Sequence, residues 1–247
     1  MELNVLGCAG TFPSADSPCS SYLLRHDGYT LMIDAGNGSL GALQKVVDLL
    51  DVDAVVLSHL HADHCVDLAA YSYARRFHPA KPGRLPVYGP KGTQDRLCQI
   101  FDTRPRDGLE EVYDFHTVTP GRIELGPFTL DLAQTNHPIE CNAIRVSAGG
   151  RSLTYSADSA ASDDLVALAQ GSDLFLCEAT WLDGTPVPPN VHMRASEAGE
   201  HATKADVGRL LLIHTISYQD DQQALDEASR TFAGPLGLAV AGASYAV

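Results

Sequence analysis

Short runs of apolar residues with high β-propensity recur along the whole chain. Several of these runs are continuous rather than interrupted by polar residues, which is typical of strands that are covered on both faces. The predicted strands are residues 3–6, 22–24, 30–33, 54–57, 87–88, 128–132, 143–146, 152–155, 174–176, 210–213 and 238–241.

Segments with helical periodicity lie between these strands. The segment 163–170 is clearly bounded, because Ser162 can cap its first turn and Gly171 follows its last residue. Strands and helices are interleaved in both halves of the chain, and no linker rich in Pro, Gly and Ser separates them. We therefore expect one α/β domain over residues 1–247. The predicted helices are residues 40–50, 66–77, 94–101, 163–170, 196–205 and 222–232.

The composition is that of a folded globular chain with a strong acidic bias. Hydrophobic residues make up 45% and charged residues 19% of the 247 residues. Acidic residues outnumber basic ones by 31 to 17, which gives a net charge of -14. A polyanion would have to approach against this field, so we expect no extended nucleic-acid surface.

The cysteines and the N-terminus narrow the setting further. The six cysteines are widely spaced and form no C-x-x-C pair, so most are expected to be reduced and buried. The first residues, MELNVLG, show no basic segment followed by an apolar run, and no apolar run reaches transmembrane length. We expect a cytoplasmic protein with no membrane partner.

The segment 55–64 carries the strongest chemical signal, with the sequence VVLSHLHADH. Residues i and i+2 of an extended segment point the same way, so His59 and His61 can converge on one metal ion. The chain then turns into a helix at Asp63 and His64, which directs those side chains to a neighbouring position. Imidazole and carboxylate ligands suit zinc, and the absence of cysteine among them leaves room for manganese or iron.

Three further candidates follow later strands. His137 lies in the sequence TNHP, Asp158 in YSADS and His214 in LLIHT. Open α/β sheets gather their site residues at the carboxyl ends of strands. Each of the three alone would suit a structural role, but together with the cluster they fill a site of six or seven ligands.

These motifs resemble, in order and over nearly the whole chain, those of the metallo-β-lactamase fold hydrolases. The resemblance implies a four-layer αββα sandwich with two divalent metal ions at one edge. Asp34, in the sequence IDAG, matches the element that supports the ligands from behind. Carried over position by position, one ion is held by His59, His61 and His137, the other by Asp63, His64 and His214, and Asp158 bridges them.

A second element resembles the tRNA 3′-processing ribonuclease and phosphodiesterase branch of that superfamily. It consists of CEATW at residues 177–181 and the downstream HMRAS at residues 192–196. The resemblance implies that His192 faces the scissile phosphate and that Glu178 orients it. Cys65 stands where the branch commonly has glycine; it is the thiol nearest the cluster, and we expect a buried residue that does not contact the metals.

The residues imply a hydrolytic mechanism. Two cations roughly 3.5–4 Å apart can share a hydroxide at neutral pH and polarise a phosphoryl oxygen. His192, held by Glu178, is the candidate acid for the leaving oxygen. Asp63 is a further candidate acceptor for the hydroxide proton, although a metal ligand is a weak base.

A last resemblance rests on LGC at residues 6–8, DSP at residues 16–18, residues 38–44 and 59–67, and YGP at residues 88–90. In these segments the chain looks most like a small bacterial branch that includes atypical class II cyclic-nucleotide phosphodiesterases. We therefore expect hydrolysis of 3′,5′-cyclic AMP to 5′-AMP, with a small nucleotide as the partner. The alternatives are a ribonuclease acting on tRNA 3′ ends or short RNA, an esterase or lactonase, and a non-catalytic metal-binding or ligand-sensing module. The resemblance also allows a homodimer, for which the sequence shows no interface signature.

Overall fold

The computed structural model describes residues 1–100 and 109–247. Strands make up most of the regular structure in these two ranges. In chain order they are β1 (Glu2–Gly7), β2 (Ser21–His26), β3 (Tyr29–Ile33), β4 (Ala54–Val56), β5 (Leu85–Gly89), β6 (Tyr113–Thr117), β7 (Gly121–Leu125), β8 (Phe128–Gln134), β9 (Asn142–Ala148), β10 (Arg151–Tyr155), β11 (Leu174–Glu178), β12 (Leu210–Ile213), β13 (Leu236–Leu238) and β14 (Ser244–Ala246).

The helices are short and connect the strands. A single 3-10 turn, Leu109–Glu111, precedes β6. The α-helices of the described ranges are α1 (Ser39–Leu43), α2 (Ala62–Cys65), α3 (Asp67–Arg76), α4 (Thr93–Ile100), α5 (Asp163–Ala169), α6 (Ala195–Lys204) and α7 (Asp221–Ser229).

The strands form two sheets of similar design. The first has the order β14-β1-β2-β3-β4-β5-β6 and the second the order β13-β12-β11-β10-β9-β8-β7. In the first sheet β3, β4, β5 and β6 run parallel, and in the second β10, β11, β12 and β13 do so. The carboxyl ends of both parallel sets carry the side chains that form the candidate site.

Three apolar layers account for the stacking of the elements. Alternate residues of each strand point to opposite faces, so Leu31 and Ile33 of β3 enter the layer between the sheets while Met32 faces the helices. The layer between the sheets also receives Phe128 from the second sheet. The outer layers join the first sheet to α1, α3 and α4, and the second sheet to α5, α6 and α7. The predicted αββα sandwich is confirmed.

The edge strands are where the predicted elements and the structure differ. The predicted strand 238–241 is wrong, since β13 ends at Leu238 and the chain then turns at Gly242, whose φ is 85°. The strands β6, β7 and β14 were not predicted. Together with β13, these are the four outermost strands of the two sheets. One side of an outermost strand has no neighbour, and its residues are more polar.

Five of the six predicted helices agree with the structure to within a few residues. Residue 101, the predicted end of the third helix, lies outside the described residues. The predicted helix 40–50 is too long, because α1 ends at Leu43. The Asp48 side chain accepts a hydrogen bond from the Leu50 amide, which stabilises a turn there instead of a helix. Ser162 caps α5 as predicted, accepting a hydrogen bond from the Leu165 amide.

No helix in either described range is long and apolar enough to cross a membrane.

Candidate metal centre

The first donor cluster joins residues from both sheets. His59 and His61 follow β4, His137 follows β8 and Asp158 follows β10, and one donor atom from each lies within 4.8 Å of the others. His61 Nδ1 is 3.1 Å from His59 Nε2 and 3.2 Å from His137 Nε2. His59 Nε2 is 3.5 Å from Asp158 Oδ2. Three imidazoles and a carboxylate therefore face one point.

The second donor cluster lies beside the first and shares one residue with it. It consists of Asp63, His64, Asp158 and His214, again with one donor atom each within 4.8 Å of the others. Nε2 of His64 lies 3.5 Å from Asp63 Oδ2 and 3.2 Å from Asp158 Oδ1. Nε2 of His214 lies 3.3 Å and 3.4 Å from the same two oxygens.

Asp158 presents one oxygen to each cluster. Its Oδ2 faces His59 and its Oδ1 faces His64 and His214. The side chain is only 3% exposed, so water does not compensate its charge from outside. Burial raises the pKa of Asp158, but the surrounding imidazoles, His214 first among them, outweigh this effect and hold the pKa well below its usual range.

Unpaired polar atoms show that the residues fit metal ions. Nε2 of His64 and Oδ1 of Asp158 are both buried and lie 3.2 Å apart, yet neither makes a well-aligned hydrogen bond within the described part of the chain. Buried polar atoms are normally paired, and a cation between them would satisfy both. The carboxylates of Asp158 and Asp34 outweigh burial and raise the pKa of His64, so this position attracts positive charge. Both clusters are capable of binding metal ions.

The rings of the histidines are held by hydrogen bonds at their outer nitrogens. Nδ1 of His59 lies 3.0 Å from the Ser58 hydroxyl. Nδ1 of His137 lies 2.9 Å from the Val191 carbonyl oxygen, to which it donates. Such partners fix the tautomer of a metal-binding imidazole and leave the other nitrogen free to face the ion.

Asp34 joins the two sheets directly behind the centre. Its carboxylate accepts hydrogen bonds from the Ser58 amide and hydroxyl, each at 2.7 Å. It also accepts from His64 Nδ1 at 2.8 Å and from the Tyr155 hydroxyl of β10 at 2.7 Å. Asp34 has a φ of 57°, a left-handed conformation that is costly for a residue with a Cβ. The supporting role implied by the resemblance agrees with these contacts.

Glu178 organises a third group of side chains at the end of β11. Oε1 lies 3.0 Å from His192 Nδ1, and Oε2 accepts a hydrogen bond from the Thr180 hydroxyl at 2.8 Å. The Thr180 oxygen is also 2.8 Å from His214 Nδ1. Since the Thr180 hydroxyl donates to Glu178, His214 Nδ1 donates to Thr180. One carboxylate thus orients His192 directly and His214 through a hydroxyl.

The charge of Glu178 also sets the protonation of His192. Burial alone would lower the pKa of His192, but the adjacent Glu178 carboxylate raises it by more, and the net shift is upward. The His192 ring packs against the His214 ring with a centroid distance of 5.1 Å. A histidine with a raised pKa therefore lies next to the second donor cluster.

The structure brings all of the predicted site residues together. The seven predicted ligands form the two clusters, and His192 and Glu178 lie beside them. Cys65 is fully buried in the apolar layer that α3 shares, and burial raises the pKa of its thiol to about 12. It is absent from the donor clusters found in the described ranges.

Three supporting groups were not predicted as site residues. Thr180, Tyr155 and the Val191 carbonyl oxygen each hold a donor or a carboxylate in place. Thr180 and Tyr155 lie within the quoted motifs, so their positions beside Glu178 and Asp158 were the available signal. Val191 precedes His192, but a backbone carbonyl leaves no mark in the residue type.

Close backbone packing positions the loops around the centre. The Thr11 amide donates a hydrogen bond to Asp63 Oδ2 at 3.1 Å. A Cβ atom at Gly10 would lie 2.4 Å from the His214 carbonyl oxygen, and one at Gly36 would lie 2.1 Å from the Asp63 carbonyl oxygen. Only glycine allows these approaches, so both loops depend on residues that have no side chain.

The sandwich and its two donor clusters define a metallo-hydrolase of the β-lactamase superfamily. The family model described as a beta-lactamase superfamily domain matches residues 29–215. The chain belongs to this family.

Its relatives include proteins of bacteria that match over nearly their whole length. The uncharacterized protein ML1173 of Mycobacterium leprae is 39% identical over 99% of this chain and 88% of its own. The probable metallo-hydrolase YhfI of Bacillus subtilis is 31% identical over 98% of both chains. The crystal structure of YhfI has a TM-score of 0.90 over 99% of both chains, at 29% identity. A ribonuclease Z of Mycobacterium bovis is 28% identical over 87% of this chain and 86% of its own.

Proposed function

We propose that the protein is a phosphodiesterase that uses two divalent metal ions and hydrolyses 3′,5′-cyclic AMP to 5′-AMP. The observation that carries this proposal is the position of Asp158. Its two oxygens face two separate donor sets, with a histidine and its orienting carboxylate at the rim. Two-metal sites of this kind suit in-line displacement at phosphorus.

Each donor cluster would hold one of the two ions. His59, His61 and His137 would hold one ion, while Asp63, His64 and His214 would hold the other, and Asp158 would contact both. Nitrogen and carboxylate donors suit zinc best, with manganese or iron as alternatives. When bound, such ions supply Lewis acidity toward a water molecule and a phosphoryl oxygen.

The chain's own residues handle the protons. Nδ1 of His192 is engaged by Glu178, so Nε2 is the nitrogen that gives its proton to the leaving oxygen. Asp63 is the more open carboxylate of the centre, with 14% of its side chain exposed against 3% for Asp158. We assign Asp63 to orienting the attacking water and accepting its proton.

The charge of the chain favours a small substrate. At a net charge of -14, the protein would release few counterions on binding a long RNA, whereas a cyclic nucleotide needs only the metal centre and a few local donors. The second candidate is a ribonuclease, which is favoured by the 28% identity to the M. bovis ribonuclease Z.

A turnover panel on the metal-loaded protein tests the proposal. The substrates are 3′,5′-cyclic AMP, 3′,5′-cyclic GMP, bis(4-nitrophenyl) phosphate and a precursor tRNA. We expect turnover of cyclic AMP and a loss of roughly 10²–10⁴-fold in kcat for His192→Ala, at unchanged metal content, because a general acid contributes that much. The control is His78→Ala, in the loop after α3, which should keep full activity.

The panel separates the candidates. Cleavage of precursor tRNA with none of cyclic AMP would favour the ribonuclease. A protein that carries two metal ions but hydrolyses no phosphate ester would exclude the phosphodiesterase altogether. Full turnover by His192→Ala on cyclic AMP would remove His192 from its assigned role.

A further inference from the structure

A cavity of about 400 Å³ opens directly beside the first donor cluster. His61 forms part of its wall, so the cavity and the first donor cluster share one residue. Its volume falls within the range of pockets that bind small molecules. None of the roles assigned above uses it.

The walls of the cavity come from the same segments that carry the ligands. Leu60 lies between His59 and His61, and Ile139 follows His137 by two residues. Pro90, which comes directly after β5, also lines the cavity. A group held here would therefore be fixed relative to a phosphate on the metal centre.

The walls are aliphatic, while polar groups lie around them. Leu60, Pro90 and Ile139 are the apolar surfaces, and Ile139 is 37% exposed. Its side chain is thus available to a ligand without rearrangement of the core. Aliphatic walls of this kind suit a flat ring, because contact with them removes the faces of the ring from water.

Arg96 adds a planar surface that is already oriented. Its Nε donates a hydrogen bond to the Leu60 carbonyl oxygen at 3.2 Å, which ties α4 to the ligand-bearing loop. A guanidinium plane stacks well on aromatic bases. Because the bond to Leu60 fixes this plane beforehand, little side-chain entropy is lost when a base binds.

Lys91 and Glu140, which also line the cavity, favour ligand groups of opposite kinds. Lys91 is a cation that lines the cavity, in a chain whose net charge is -14. Glu140 supplies only hydrogen-bond acceptors when ionised. A ligand that matches both carries a phosphate at one end and an amino group at the other.

We propose that this cavity binds the base of the nucleotide whose phosphate lies on the metal centre, with Ile139 and Arg96 against its ring and Glu140 accepting from its exocyclic amine. The inference rests on the proposed phosphodiesterase function and deepens it by naming the site that selects the base: purines bearing an amino group, adenine above hypoxanthine.

Binding to the metal-loaded protein tests the base site without relying on turnover. Isothermal titration calorimetry compares 5′-AMP with ribose 5-phosphate, which has the same phosphate and sugar but no base. We expect the wild-type protein to bind 5′-AMP at least tenfold more tightly. Ile139→Ala should reduce that ratio several-fold and leave ribose 5-phosphate unchanged, while Phe77→Ala, a truncation of another exposed apolar residue, should change neither.

Glu140 is tested by the choice between bases. The wild-type protein should bind 5′-AMP more tightly than 5′-IMP, because a carbonyl replaces the amine opposite the carboxylate. Glu140→Gln should bring the two affinities together, since an amide both donates and accepts.

The outcomes separate this inference from the proposed function. Equal affinity of the wild-type protein for 5′-AMP and ribose 5-phosphate would overturn the base site, even if cyclic AMP is hydrolysed. Equal effects of Ile139→Ala on both ligands would do the same. A clear preference for 5′-AMP in a protein that hydrolyses no phosphodiester would instead contradict the proposed function and leave the base site standing.

Discussion

Glu178 shows how much one buried carboxylate can determine. Each of its oxygens accepts two hydrogen bonds: Oε1 from the Ser159 amide and His192, and Oε2 from Thr180 and the Met193 amide. The side chain is fully buried. Every contact therefore forms in a medium of low polarity, where hydrogen bonds to charge are strong.

Glu178→Gln should change the pH dependence of the reaction. The carboxylate raises the pKa of His192 against the effect of burial, so its removal lowers that pKa. A general acid is lost as pH rises through its pKa, and the basic limb of kcat/KM against pH should therefore move to lower pH in the variant. The measurement is a pH profile for cyclic AMP with wild type, Glu178→Gln and Glu197→Gln.

Glu197 is the matched control, because it caps α6 through the Arg194 amide instead of contacting the centre. An unmoved basic limb in Glu178→Gln would exclude His192 as the group that titrates there.

The ligands were predictable from the sequence at this scale, and their supports were only partly so. His59, His61 and His64 stand in a dense motif that few structural roles would produce. Asp158 was predicted from its position after a strand, whereas Glu178 was predicted only through the motif that the resemblance supplied. The Val191 carbonyl oxygen could not be predicted, because any residue type offers the same atom.

At the scale of elements, predictability followed the position in the sheet. Central strands such as β4 and β12 are buried on both faces. Their sequences are continuous apolar runs, which made these strands predictable. The outermost strands β7 and β14 are short and mostly exposed, and Leu125 of β7 is their one buried residue. The sequence pattern of such a strand does not differ from that of a polar loop. The segment becomes a strand because it pairs with the adjacent strand of the sheet.

Gly36 offers a test of the packing between elements. A Cβ atom there would meet the Asp63 carbonyl oxygen at 2.1 Å, and the backbone of α2 cannot withdraw without moving the donors of the second cluster. Gly36→Ala should lower the free energy of unfolding by about 1–3 kcal/mol, the usual cost of overpacking. It should also weaken metal binding.

Gly41 is the matched control for that substitution. It lies in α1, and no atom would come within 4 Å of an added Cβ. Gly41→Ala should therefore be neutral or stabilise by up to about 1 kcal/mol, since alanine favours a helix over glycine. Denaturant titration of both variants measures the difference, and equal stabilities would contradict the close contact at Gly36.

Three buried carboxylates lie at the edge of the molecule that carries the donor clusters. Asp34, Asp158 and Glu178 are all buried, and together they lie behind or between these clusters. Metal ions bound there would compensate the negative charge of these carboxylates, which the apolar layers cannot compensate. Stability should therefore depend on the metal.

Removal of the metal should lower the melting temperature. A ligand that binds only the folded state stabilises it by about 2.7 kcal/mol when its free concentration is one hundred times Kd. For a chain of this size that corresponds to about 5–10 °C. Differential scanning calorimetry before and after dialysis against a chelator gives the shift.

Two variants make this result specific. Asp158→Asn removes the carboxylate that faces both clusters and should show a smaller shift, while Asp164→Asn, in the first turn of α5, should behave like wild type. Identical melting temperatures with and without chelator would mean that no metal contributes to folding.

The single domain, the cytoplasmic location and the small-nucleotide partner stay predictions.

The donor sets are divided between the two halves of the chain. Residues 59–64 come from the first sheet's segment, whereas His137, Asp158 and His214 all come from the second. Neither half expressed separately would contain a complete set for either ion. Two such fragments mixed in one solution should therefore regain metal affinity only when they assemble, so reconstitution would report directly on the docking of one sheet against the other.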